Sequence, residues 1–250
     1  MFMANYAVCM LLSILFMTGE RSALQGQGMK IAVVVGILSG VLYLGNFMLL
    51  QFNMRHNGIV LSSTFMKLGV LIPTAIAIVL FREMPGAMQI LGIILALAAI
   101  VMIHFEKGAV SEGNKKFWLL VLLLGSGITD SMANIYEQFG TPERKNDYLL
   151  LTFLTAFLIA LIFAVCNKRK ISGKDILFGI LIGIPNYFSA RFLLLALGEV
   201  EAVIVYPTYS IGTLIAISLA GVIGFHENLS RKKLCALGLI VVALGLLNLA

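Results

Sequence analysis

Residues 36–103 read GILSGVLYLGNFMLLQFNMRHNGIVLSSTFMKLGVLIPTAIAIVLFREMPGAMQILGIILALAAIVMI. Residues 179–249 read GILIGIPNYFSARFLLLALGEVEAVIVYPTYSIGTLIAISLAGVIGFHENLSRKKLCALGLIVVALGLLNL and say nearly the same thing again. A shift of 143 residues carries Gly36 onto Gly179, Gly40 onto Gly183, Val60 onto Val203 and Gly69 onto Gly212. Each copy holds three long apolar runs, broken by short polar turns at matching places. Leu, Ile, Val and Gly dominate both copies, so chance similarity is the competing explanation. The glycines and the breaks stay in phase too long to favour it. Two related hydrophobic halves are a signature of membrane transporters.

Composition sets the solvent. Hydrophobic residues are 60% of the 250 and charged residues 12%, against roughly 25% charged in soluble domains. So few charges leave too little polar surface to cover a water-soluble fold of this size. A helix needs about 20 apolar residues to cross hydrocarbon. The apolar runs are long and continuous rather than alternating over about ten residues, which argues against a β-barrel. The expectation is an all-α integral membrane protein of the cytoplasmic (inner) cell membrane, multi-pass, with membrane lipids as partners.

The formal net charge of +6 sits mostly in short loops, as Lys168, Arg169, Lys170 and Lys174 show. That pattern fits topology signals and anionic headgroups rather than nucleic acid. Cys9, Cys166 and Cys235 lack paired spacing, and His56, His104 and His226 form no ligand cluster, so no metal is expected. The chain carries no HExxH, no phosphate-cradling loop and no nucleophile elbow. Neither a cofactor nor an enzyme is expected.

Nine transmembrane helices are predicted, over residues 2–18, 31–52, 59–81, 87–103, 117–139, 148–166, 176–197, 202–225 and 234–249. The division that follows is a first repeat over 1–104 with four helices, a central loop over 105–116, and a second repeat over 117–250 with five. The fifth helix has no counterpart, so a pair of five-helix units would need one more helix ahead of residue 1. Pro73 inside the third helix frees a carbonyl and bends the chain. Trp118 suits an interfacial anchor. Loops after even-numbered helices carry 11 Lys and Arg against 5 after odd-numbered ones, which favours the even set as cytoplasmic.

Ionisable groups inside spans are expensive and usually face protein or water. Asp130, Asn134 and Glu137 stand at i, i+4 and i+7 on one helical face. Asp130 reads either as half of a structural ion pair or as part of a solute or proton path, and Arg191 is the preferred mate. Lys67 shares a face with Ser63 and either snorkels or faces a cavity. Arg191 lies in the seventh helix after Asn186 and Tyr187, and its permanent charge needs a carboxylate, a helix C-terminus or an anionic solute. Tyr43 and Asn46 align with Asn186 and Ser189 under the shift. Tyr206, Thr208 and Tyr209 surround Pro207, either as a polar bend at a binding face or as belt residues at the interface. These twelve side chains are the candidates for solute binding or coupling: Tyr43, Asn46, Ser63, Lys67, Asp130, Asn134, Asn186, Tyr187, Arg191, Tyr206, Thr208 and Tyr209.

IPTAIAIVLFREMPGAMQILGIILALAAIVMI and YPTYSIGTLIAISLAGVIGFHENLSRKKLCALGLIVVALGLL resemble the repeat ends of the EamA-like transporters of the drug/metabolite transporter superfamily. In that pattern a helix runs to a short turn bearing glutamate, followed by a glutamine-like residue and a glycine in the next helix. Glu83, Gln89 and Gly92 fit it in the first copy. Glu227 and Gly238 fit the second at a wider spacing, and Thr64 stands where the second copy has Pro207. The resemblance implies ten helices in two inverted five-helix units, here lacking the first, around a central cavity. It also implies movement of a small organic solute by a secondary transporter without ATP. Proton coupling through Asp130 is a separate expectation, from a central carboxylate with no partner nearby in the sequence; the sequence leaves monomer and homodimer both open. The family's topology with the first helix lost puts the N-terminus outside, whereas the loop count puts it inside. A non-transporting structural or truncated membrane protein is the alternative.

Overall fold

The computed structural model describes residues 2–17, 27–104, 116–166, 172–225 and 231–248. Every long element among them is an α-helix: α1 Phe2–Leu15, α2 Gln27–Asn57, α3 Ile59–Leu68, α4 Leu71–Val79, α5 Ala87–His104, α6 Lys116–Phe139, α7 Lys145–Cys166, α8 Gly173–Leu197, α9 Ala202–Phe225 and α10 Arg231–Asn248. A single 3-10 turn, Pro142–Arg144, leads into α7. Among the described residues, five stretches are long and apolar enough to cross a membrane: Gly28–Asn57, Ser62–Val79, Phe117–Phe139, Pro142–Cys166 and Gly173–Leu197. The central loop, the basic run 168–170, His226 and Glu227 lie outside the described residues.

The third predicted helix is two helices. Pro73 has no N–H to give to the carbonyl four residues back, Gly69 O, and would crowd it. Gly69 O instead accepts from Ile72 N at 3.0 Å, a three-residue closure that tightens the chain. Gly69 N and Val70 N make equally short-range bonds, to Met66 O and Lys67 O. The break therefore falls one turn ahead of the proline that causes it. At the start of α8, by contrast, a capping box begins the helix: Ser172 Oγ accepts from Lys174 N and Asp175 Oδ2 accepts from Ser172 N.

The chain forms two compact units. One contains residues 1–47 and 132–199, the other residues 48–131 and 200–250, so each draws on both sequence copies.

In the first unit α1 packs on α7 and α8, and the first half of α2 packs on α7. Glycines make these crossings close. A methyl at Gly36 would meet Leu151 and the carbonyl of Tyr148, and one at Gly40 would meet Thr152 O and Thr155. A methyl at Gly183 would meet Asn5 O and Val8, and one at Gly179 would meet Ala4 and Asn5. The shift that carries Gly36 onto Gly179 also carries Asn5 onto Tyr148 and Val8 onto Leu151. One crossing is thus built twice: α2 meets α7, and α8 meets α1, the helix that the shift carries onto α7. Small residues let backbones approach without a hydrophobic drive.

In the second unit α5 packs along α10 and beneath α3, while α4 and α10 flank α9. Gly92 seats α5 against Ala243 and Leu247 of α10. Gly127 of α6 lies against Gly69 O and Ile72, so the broken helix and α6 touch backbone to backbone. Ser126 Oγ donates to Met66 O at 3.1 Å beside it. Asn53, fully buried near the end of α2, donates to Trp118 O at 3.1 Å and accepts from Asn57 at 2.9 Å.

Candidate functional site

In the second unit the polar groups converge on α9. Lys67 leaves the last turn of α3, just before the break, and its ammonium donates to Thr213 Oγ1 of α9 at 3.0 Å. Thr213 in turn donates to Ser210 O at 2.7 Å. The charge that acts on Lys67 is Asp130 of α6, and Lys67 is the charge that acts on Asp130. The two make no direct ion pair, and both remain half-buried. Tyr206, fully buried, donates its hydroxyl to Asp130 O at 2.8 Å and so ties α9 to the same turn of α6. Thr208 Oγ1 is buried with no partner among the described residues, Tyr209 is half-buried, and Ser63 is half-buried on α3.

Local chemistry holds α9 in place. Val203 N, at its first turn, donates to Glu83 Oε2 at 2.7 Å, so the turn after α4 caps the helix that bears the site. An anionic acceptor there satisfies an orphan N–H and complements the helix dipole. Arg82 beside it takes a positive φ of 58°, which turns the chain to present that carboxylate. Gln89 caps α5 by accepting from Gly86 N at 2.8 Å. Glu83, Gln89 and Gly92, the residues of the repeat-end pattern, each have a structural contact here.

The remaining candidates belong to the first unit. Arg191 donates through Nη1 to Asn146 Oδ1 at 3.0 Å and to Tyr187 OH at 3.1 Å, and its guanidinium lies 5.3 Å from the centre of the Phe16 ring. Tyr187 is buried and stacked on Phe16. Asn186 donates to Asn5 Oδ1 at 3.4 Å and toward Cys9 Sγ at 3.7 Å, while the Cys9 thiol donates to Gly183 O at 3.3 Å. Tyr43 meets Phe153 edge to face. Asn46 Oδ1, Asn134 Nδ2, Asn5 Nδ2 and Tyr6 OH are buried atoms with no hydrogen-bond partner among the described residues. Glu137 is paired with Lys145 at 2.8 Å.

Lys67, Asp130 and Tyr206 therefore meet in one unit, and Asn186, Tyr187 and Arg191 share the other. The Arg191–Asp130 pair expected from the sequence joins residues of different units, and each has the neighbours just described within its own. Sequence reasoning passed over Thr213, which follows Tyr206 by seven residues and so shares its face. It also passed over Asn146, hidden in a charged loop, and over Asn5 and Cys9, whose i, i+4 spacing in a short apolar run was the available signal.

No family model matches the chain. A protein of Haemophilus influenzae, described only as uncharacterized, is 23% identical over 198 residues, which cover 77% of this chain and 67% of that one. A protein of known crystal structure superposes with a TM-score of 0.73 over 99% of this chain and 86% of its own, at 14% identity. At that identity the likeness shows the fold alone.

Proposed function

We propose that this chain is a multi-pass protein of the cytoplasmic membrane and a secondary transporter, moving a small organic solute by alternating access on the ten-helix repeat plan of the EamA-like transporters. One observation carries the reading. Lys67 and Asp130, opposite charges in two candidate spans, stay half-buried near one another without closing into a direct pair. Charges inside hydrocarbon cost a few kcal/mol each and are retained where they face a path. Two further facts support it. Polar atoms such as Thr208 Oγ1 and Asn134 Nδ2 are buried without partners among the described residues, a state that costs about 1–3 kcal/mol per group unless a ligand or water supplies the bond. The duplicated glycine crossing of the first unit favours an internal repeat as the architectural basis.

Uptake by the purified chain in proteoliposomes, screened over sugars, amino acids, nucleosides and organic cations, tests the reading. Accumulation of at least one class above empty vesicles is expected, with Lys67→Met reducing it at least tenfold. Folded protein that moves nothing across the panel would overturn transport and favour a structural membrane partner. Asp130 is the proposed coupling residue for protons; uptake by Asp130→Asn that still followed an imposed proton gradient would remove that role.

A further inference from the structure

Arg191 offers a binding edge that the described residues leave unused. A guanidinium has five N–H groups, two of them on Nη1. The bonds to Asn146 Oδ1 and Tyr187 OH both come from Nη1 and consume that pair. Nε and Nη2 remain, the planar edge that receives a carboxylate or phosphate with two parallel bonds. Both anchors are neutral, so they orient the cation without cancelling its charge. The Phe16 ring, 5.3 Å from Cζ, fixes it further.

The charges around it are already matched to one another. Glu137 pairs with Lys145 at 2.8 Å, and Arg144 with Asp147 at 3.1 Å. Among the described residues no carboxylate pairs with Arg191. The residue is half-buried rather than sealed. A permanent cation in a candidate span, held rigid and left uncompensated, is suited to an anion from outside the chain.

We propose that Arg191, positioned by Asn146, Tyr187 and Phe16, is an anion-binding site that takes a carboxylate or phosphate group. The group comes from a soluble solute or from a lipid headgroup; the chemistry of recognition is the same. The site does not rest on the transport reading, because binding is measured without flux.

The test uses the full chain, purified in uncharged detergent, with the thermal unfolding midpoint followed against inorganic phosphate and against benzoate, and chloride at matched ionic strength as reference. A second arm places the chain in phosphatidylcholine discs with and without phosphatidylglycerol. A ligand bound to the folded state raises the midpoint saturably. Arg191→Gln should weaken the response roughly 10- to 100-fold, the loss of a charged hydrogen-bond partner. Arg191→Lys, which keeps charge but not the planar edge, should fall between. Asn146→Asp, which supplies an internal carboxylate, should fold and lose the response, and it keeps the test valid if Arg191→Gln does not fold. Saturation by phosphate or benzoate assigns a soluble anion, and a response confined to phosphatidylglycerol discs assigns a lipid. An equal response from chloride, an equal response in all variants, or none in either arm would overturn the site.

Discussion

The two units treat repeated glycines in opposite ways. In the first, Gly36 and Gly179 are both crowded, and so are Gly40 and Gly183. In the second, Gly69 lies against α6 while its sequence partner Gly212 has nothing within 4 Å among the described residues. The difference follows from which helices are duplicated. The partners of α2 and α8, namely α7 and α1, are themselves repeat mates, so both crossings recur. The partner of Gly69 is α6, which has no counterpart under the shift, so its contact occurs once. A repeated sequence reproduces a contact only where both sides of the contact are repeated.

The largest expected effect breaks that contrast directly. Gly40→Leu and Gly183→Leu should each destabilise by roughly 2–3 kcal/mol, the range of overpacking against backbone, and to the same degree. Gly69→Leu should do the same, whereas Gly212→Leu should stay within about 0.5 kcal/mol. Thermal unfolding in detergent reads all four; equal losses at Gly69 and Gly212 would abolish the asymmetry of the second unit.

A smaller effect sharpens the electrostatic side. Lys67→Met leaves Asp130 without its cation, and Asp130→Asn does the converse. Each should cost roughly 1–2 kcal/mol, less than a sealed pair because both side chains keep accessible surface. The double variant should be less damaged than the sum, by roughly 0.5–1 kcal/mol. Strict additivity would show that the two charges do not sense one another.

The smallest effect concerns the link between the copies. Glu83→Ala should cost about 1 kcal/mol, the scale of a lost helix cap, with Glu83→Gln recovering most of it because an amide oxygen also accepts from Val203 N. Circular dichroism melts compare the three proteins. Loss of stability in Glu83→Gln equal to Glu83→Ala would mean that charge, not the hydrogen bond, is what the cap supplies.

Much of the helical pattern was legible because lipid-scale apolar runs leave few alternatives. The break at Gly69 was half legible: Pro73 announced a bend, but the tightened bonds fall a turn earlier, where the freed carbonyl must find another donor. Lys67 and Asp130 stood out as expensive residues in apolar surroundings. Thr213 and Asn146 did not, since a threonine inside a helix and an asparagine in a helix's first turn cost nothing unusual until a cation is brought to them.

By itself the sequence determined the helical class, the apolar character and the in-phase recurrence of glycines, because each follows from composition and spacing along one chain. Only the tertiary structure decided which glycine meets which helix, that Lys67 answers to Asp130, and that Arg191 is steadied by neutral groups. Those choices depend on contacts between residues far apart in the chain, and periodicity carries no record of the partner across the gap.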